Sequence, residues 1–342
     1  MLMATRAKVK PTFSIGNKMD YGFFLREAIA ADADWSDTQE FDLFLSAFNL
    51  SDRVRHVYDH VRAGNKVWLI HREYGLTSDR LPPEPYFATK APDESSFCLE
   101  LVEMLKSEQP DFRNLSICID STGMLRPHLL FLLKLMQIEG FRRFNLIYAE
   151  PANYKDNERT TFSAGSIYEV RPVQGFEGAP MTDSSADFLV IGMGYDDRMI
   201  AEVAEDRAKA DKHQVFGLPS LRADMYQQSV LRSRLAAEEL SDPNFSETNR
   251  SFAPASDPFG TAAVLSEIVA RRRLERRITN LYLSPLGTKP QVIGFGLYHI
   301  FECAAGAASI TFPFSKGYSP ETGQGVSRTW LYTVEFDQID TG

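Results

Sequence analysis

A chain of 342 residues with 44% hydrophobic and 24% charged residues has material for one large or two ordinary globular domains, with cores that need no disulfide or metal staple. No apolar run reaches the roughly 18 residues of a membrane span. A net charge of −9 argues against binding a nucleic-acid polymer but leaves room for a compact basic pocket.

The three cysteines, Cys98, Cys118 and Cys303, are widely spaced and odd in number, so they read as buried reduced thiols of a cytoplasmic protein. Residues 1–40 are expected to be an N-terminal extension. Its first ten residues are basic but lead into no apolar core of a signal peptide. A helix is expected near Tyr21–Ala31.

The first half is placed at residues 41–155. Asp42 opens an apolar strand, the turn Phe48-Asn49-Leu50-Ser51-Asp52-Arg53 follows, then a helix and a second strand, Val67–His71. The proline-rich stretch Thr77–Pro92 reads as a loop. Next come the strand Asn114–Ile119, the turn Asp120–Arg126, the helix His128–Gly140 and the strand Asn145–Tyr148. A linker rich in Gly, Pro and polar residues spans 156–185.

The second half, 186–336, repeats this order. Asp187 opens a strand, and the turn Gly192–Arg198 leads into a helix and the strand Gln214–Leu218. After the loop-like Leu240–Gly260 come the strand Asn280–Ser284, the turn Pro285-Leu286-Gly287-Thr288-Lys289, the helix Gln291–Ala305 and the strand Ser309–Phe314. A last strand, Thr329–Phe336, closes the half. Asp to Arg is eleven positions in both halves, from Asp42 to Arg53 and from Asp187 to Arg198. A cation followed by Pro opens a helix in both, Arg126-Pro127 and Lys289-Pro290, where the missing N–H of Pro costs nothing. The fold expected is α/β: two tandem Rossmann-like halves with largely parallel sheets, related by a pseudo-two-fold axis. Chance likeness of two such halves is the competing explanation.

Ligands of open α/β sheets bind beyond the carboxyl ends of the strands, where helix N-termini offer N–H groups to anions. Four strand-to-helix turns qualify. They nominate Asn49, Ser51, Arg53, Asp120, Ser121, Thr122, Arg126, Gly194, Arg198, Gly287, Thr288 and Lys289 as ligand contacts. Tyr154 and Tyr318, at matching positions after the last strand of each half, are candidates to stack on a base; Tyr74, Tyr148 and Tyr195 read as core or rim packing. Each nomination has a plainer alternative. Arg53 and Arg198 would pair with neighbouring carboxylates, Asp120 would cap its helix, and Asp42 and Asp187 would simply open strands.

Other chemistries lack their residues. Gly192-x-Gly194 would need its third glycine where Asp197 stands, and the Gly287-Thr288-Lys289 turn lacks the distal glycine of a P-loop, which falls on Tyr282. No His/Cys/Asp group has zinc-site spacing, so neither a metal nor a cofactor is expected. The basic run Arg271–Arg277 reads as the solvated end of a helix.

The segment Asp120-Ser121-Thr122-Gly123-Met124-Leu125-Arg126 resembles the [Asp/Asn]-x-[Ser/Thr]-x-x-x-[Arg/Lys] turn of CARF domains. The duplicated layout over residues 41–318 is similar to SAVED domains, two CARF-like units fused in one chain. The resemblance implies a sensor of a small phosphorylated nucleotide, such as a cyclic oligonucleotide, in bacterial antiphage signalling. It implies a ligand on the pseudo-two-fold axis held by Arg53, Thr122, Arg126, Arg198, Thr288 and Lys289. Pro285–Lys289 departs from the motif, lacking its Asp and its spacing. No effector domain is evident, so a separate effector protein is the expected partner, with self-association an open alternative. Two other functions compete. One is an enzyme cleaving or modifying a nucleotide or sugar phosphate, with Asp120, Glu150 or Lys289 as catalytic group; the reading leans away from it. The other is a non-catalytic interaction subunit of a defence complex.

Overall fold

The two apolar strands that open the halves become the central strands of the parallel cores of two sheets. The structure, a computed structural model, describes residues 18–154, 166–241, 245, 249–303, 306–320 and 323–336. In chain order the elements are β1 (Arg26–Ala30), β2 (Phe41–Ala47), α1 (Asp52–His60), β3 (Ala63–Ile70), β4 (Tyr86–Ala88), α2 (Glu94–Glu108), β5 (Ile117–Asp120), α3 (Arg126–Ile138) and β6 (Arg143–Tyr154). They continue with β7 (Ile167–Pro172), β8 (Phe188–Gly192), α4 (Asp197–Asp206), β9 (Asp211–Gly217), α5 (Met225–Glu239), β10 (Asn249–Ala253), α6 (Pro258–Glu275), β11 (Leu281–Pro285), α7 (Lys289–Tyr298), β12 (Ala308–Ser315) and β13 (Gly323–Glu335).

The first sheet runs β1-β13-β6-β5-β2-β3-β4 and the second β10-β9-β8-β11-β12-β7. Strands β4-β3-β2-β5-β6 are mutually parallel, and so are β10-β9-β8-β11-β12. Numbered within each half, both parallel cores have the Rossmann order 3-2-1-4-5. Every residue of β5, β8 and β11 is buried, as strands covered on both faces must be. An antiparallel strand lies beside the last parallel strand of each core, β13 on β6 and β7 on β12, and β1 extends the first sheet beyond β13.

The strand-opening aspartates have matching structural work. Asp42 accepts from the backbone N–H of Ser116 at 2.7 Å and from its hydroxyl, fixing the start of β2 to the approach to β5. Asp187 accepts from Thr279 Oγ1 at 2.8 Å and Asn280 Nδ2 at 2.7 Å, fixing β8 to β11.

Several sequence expectations need correction. The helix near Tyr21–Ala31 is instead a 3₁₀ turn, Tyr21–Phe23, followed by β1. Its Arg, Glu and Ala favour a helix, but pairing along β13 and an Arg26–Asp257 ion pair override propensity. The C-terminal strand assigned to the second half pairs within the first sheet, between β1 and β6, so residues 323–335 cross back over the boundary. The linker holds β7, and the loops at 77–92 and 240–260 hold the edge strands β4 and β10. Helix α7 is shorter than expected and continues as a π-helical turn, His299–Cys303.

The halves share one continuous hydrophobic core. Helix α3 packs on α7 so closely that a Cβ on Gly296 would lie 2.9 Å from Leu130 Cδ2. Glu94 of α2, 1% exposed, holds Arg171 of β7 through two hydrogen bonds of 2.8 Å, and the guanidinium lies over the Phe314 ring. Burial alone would raise the Glu94 carboxyl, but the Arg171 fork pulls it below the usual range. The three cysteines are buried and free. Among the described residues, no helix is long and apolar enough to cross a membrane.

Candidate functional site

Because α3 and α7 pack together and each opens with a cation, Arg126 and Lys289 come to one place. The cavity there has a volume of about 70 Å³. All four strand-to-helix turns contribute to it: Asn49, Ser51 and Arg53 from the first; Thr122, Leu125 and Arg126 from the second; Tyr195 from the third; Gly287, Thr288 and Lys289 from the fourth. Tyr74, Tyr148, Tyr318 and Ser319 complete the lining. Nine of the fourteen nominated ligand residues are therefore brought together.

The close approach of the turns depends on two glycines. A Cβ on Gly123 would lie 2.0 Å from the carbonyl oxygen of Ala47, and one on Gly194 would lie 2.2 Å from that of Leu286. No side chain fits either position.

Among the described residues, three cationic side chains and no carboxylate line the cavity. Arg126 donates from Nε at 3.2 Å and Nη2 at 3.0 Å to the carbonyl of Gly287, joining the halves. Arg53 donates from Nη1 to the carbonyl of Ala149 at 2.7 Å, while its buried Nε has no partner. Lys289 is half-buried as a residue, but its ammonium is enclosed. Burial, then the Arg126 and Arg53 guanidiniums, push it well below the usual lysine range, and Asp120 offsets this only in part. Burial also lowers Arg126 from its ordinary value.

Neutral donors surround the cations. Thr122 Oγ1 accepts from the backbone N–H of Ala149 at 3.0 Å, leaving its O–H to donate. Thr288 caps α7 in a reciprocal capping box with Gln291, which aims the first N–H groups of the helix. Tyr74 donates to the carbonyl of Gly123 at 2.7 Å, and burial pushes its phenol up to about 12. The hydroxyl of Tyr318 is buried without a hydrogen-bond partner.

The remaining nominees lie elsewhere. Asp120 is fully buried below the cavity, accepting from Thr122 N–H at 2.8 Å and Ser46 Oγ at 2.8 Å. It therefore shapes the turn rather than facing a ligand. Ser121 donates to the carbonyl of Ile147 at 2.8 Å, which ties the same turn to β6. Gly194 is a packing point behind Tyr195. Arg198 is exposed and outside the lining: it is the second residue of α4 as Arg53 is of α1, but on a face turned to solvent. Tyr154 ends β6, and its side chain lies outside the described residues. Glu150 is buried, accepts from Trp330 Nε1 at 2.6 Å and is raised by burial, but it does not line the cavity. Of the three candidate catalytic groups, only Lys289 does.

The tyrosines Tyr74, Tyr148 and Tyr195 were read as packing, yet they form part of the wall. The available signal was position: Tyr74 and Tyr195 follow the carboxyl ends of β3 and β8, and Tyr148 ends the strand expected from the sequence, Asn145–Tyr148, within the longer β6.

Comparison with known proteins supplies no family. No family model matches the chain, and no curated protein matches it. Among solved structures, the "Adenylation, ketoreductase, and pseudo Asub multidomain structure of a keto acid-selecting NRPS module" aligns at 10% identity and a TM-score of 0.24, over 83% of this chain and 34% of that one. This chain thus spans about a third of that one, and so low a score carries no argument.

Proposed function

We propose that the cavity captures a phosphate group of a small nucleotide, and that the chain is a sensor passing this event to a separate effector. The observation that carries the reading is the convergence of Arg53, Arg126 and Lys289 on one cavity whose lining, among the described residues, holds no carboxylate. Like charges gathered around one cavity disfavour one another, and an anion among them offsets that repulsion. Arg supplies a planar fork and Lys a point charge, a pairing suited to tetrahedral oxyanions.

Size refines the ligand. A cavity of about 70 Å³ takes several waters or one phosphate-sized group. A dinucleotide or larger ring would enter only if the turns part. The Arg126–Gly287 contact is the natural latch, since a phosphate would compete for the same guanidinium. Binding would then shift the population between joined and loosened halves, by no more than the ligand's differential affinity for them. The matching 3-2-1-4-5 strand orders support a fused pseudo-dimer like that of SAVED domains, in bacterial antiphage signalling.

The test is thermal unfolding and calorimetry with inorganic phosphate, pyrophosphate, nucleoside mono- and diphosphates, and cyclic di-, tri- and tetranucleotides. A ligand at 100 times its Kd adds about 2.7 kcal/mol of stability. Stabilisation by a nucleotide, lost in Lys289→Met, supports the reading. Folded protein indifferent to the whole panel would overturn it and favour the interaction subunit.

A further inference from the structure

Beside the anion cavity, a second cavity of about 440 Å³ opens between the halves; Leu125 and Tyr318 line both. At the wall of this larger cavity the fold assembles three residues of a different chemistry. One ring nitrogen each of His71 and His128 and one carboxylate oxygen of Glu73 lie within 4.8 Å of one another. His71 stands just past the end of β3, Glu73 in the 3₁₀ turn that follows, and His128 in the first turn of α3.

Both histidines are buried, at 0% and 5% exposure, with ring centroids 4.4 Å apart. Among the described residues, their Nδ1 atoms have no hydrogen-bond partner. The Nε2 of His71 lies 3.3 Å from Met124 Sδ. A thioether sulfur can only accept, so that nitrogen carries the hydrogen and Nδ1 is left as a bare, buried lone pair. Among the described residues, the Glu73 carboxylate pairs only with its neighbour Arg72, at 3.7 Å. Buried polar atoms normally find partners, and two such imidazoles against a carboxylate call for a shared one.

We propose that His71, Glu73 and His128 bind a divalent transition-metal ion of the zinc type. Imidazole and carboxylate donors suit zinc and its neighbours, whose bonds to them are about 2.0–2.2 Å. Three protein ligands leave at least one coordination position open. Glu73 and His128 line the larger cavity, which supplies both an entry path and space for that position. The metal would stand at the wall of the larger cavity, where an exogenous ligand could reach it. The separation of 57 positions from His71 to His128 hides the group from any spacing motif.

The proposal is independent of the anion cavity. Tag-free full chain, stripped with chelator, is titrated with Zn2+ by calorimetry and with Co2+ by visible absorption. One equivalent is expected to saturate both, with visible d–d bands for Co2+ and a raised melting temperature. Glu73→Gln, a conservative change at a half-buried side chain, is expected to weaken binding at least tenfold. His128→Gln should abolish the Co2+ bands; circular dichroism establishes that each variant is folded. Folded wild-type protein that takes up no stoichiometric metal overturns the proposal, as does one-equivalent binding unchanged in folded Glu73→Gln. If His128→Gln does not fold, the Glu73→Gln titration decides.

Discussion

The guanidinium of Arg126, at the start of α3, holds the carbonyl oxygen of Gly287 in the opposite half through two hydrogen bonds. This links the anion cavity to the joint between the halves. A hydrogen bond from a charged group contributes about 1.5–3 kcal/mol, against which stands the cost of burying the cation. We expect Arg126→Ala to cost the ligand-free protein about 1 kcal/mol and to lower phosphate or nucleotide affinity by about a hundredfold, the equivalent of about 2.7 kcal/mol. Arg126→Lys keeps the charge but cannot make the same planar two-point contact, so it should recover affinity only in part. Denaturant melts and calorimetry on both variants check this. Undiminished affinity in Arg126→Ala would leave the guanidinium a purely structural brace.

Lys289 should trade stability for binding. Its ammonium is depressed in the folded chain by burial and by Arg126 and Arg53. The unfolded chain, with lysine near about 10.4, therefore binds more protons between the two values. Ligand-free stability must rise with pH across that window and flatten above it. Lys289→Met should remove this slope, stabilise the ligand-free protein by roughly 1 kcal/mol at neutral pH, and abolish anion binding. An anion restores the lysine's proton, so wild-type binding should take up a proton where the free lysine is neutral. Calorimetry in buffers of differing ionisation enthalpy measures that uptake. A variant less stable than wild type would mean the ammonium is well solvated.

The parallel cores were legible because their strands are continuous apolar runs bounded by turn residues, such as Leu43–Ala47 and Leu189–Ile191. The four turns were legible because ligand-facing loops of this fold follow such strands. What the sequence hid is tertiary. Nothing local in Arg26–Ala30 says strand; its partner β13 lies some 300 positions away. Arg53 and Arg198 have identical spacing, yet one is buried in the cavity wall and the other exposed, because the halves pack unequally around their first helices. Asp120 fits a ligand-contact motif, but its two short hydrogen bonds turn it inward.

Gly194 tests how tightly the turns must approach. An added Cβ would lie 2.2 Å from the Leu286 carbonyl oxygen, and that neighbour is backbone rather than a side chain that can swing away. Gly194→Ala should cost about 2–3 kcal/mol, in the range of an overpacked core, and should displace Tyr195 from the wall. Gly140→Ala, whose Cβ meets nothing but whose φ is +82°, separates the two origins of strain. It should lower stability through the backbone alone and leave anion affinity within about twofold, whereas Gly194→Ala should lose both. Paired melts and titrations distinguish them; equal affinities would show that the Tyr195 turn does not form the site.

Asp120 separates positioning from contact. Burial raises its carboxyl above the ordinary value, outweighing the hydrogen bonds from Thr122 and Ser46. The folded chain therefore holds this proton more readily than the unfolded one. The associated stability is fully present below about 3.9 and is lost as pH rises through the folded value. Asp120→Asn keeps the shape: its Oδ1 still accepts from Thr122 N–H, and the Ser46 hydroxyl can rotate to accept from Nδ2. It should be at least as stable as wild type at neutral pH, lose the acid-side slope, and retain anion affinity within about threefold. Asp120→Ala leaves the Thr122 N–H buried without an acceptor and should cost about 1–3 kcal/mol, with weaker binding because Thr122 lines the cavity. Acid melts of the three proteins, with phosphate titrations, test the pair. A hundredfold affinity loss in a stable Asp120→Asn would make the carboxylate a direct ligand contact and move the floor of the cavity down to it.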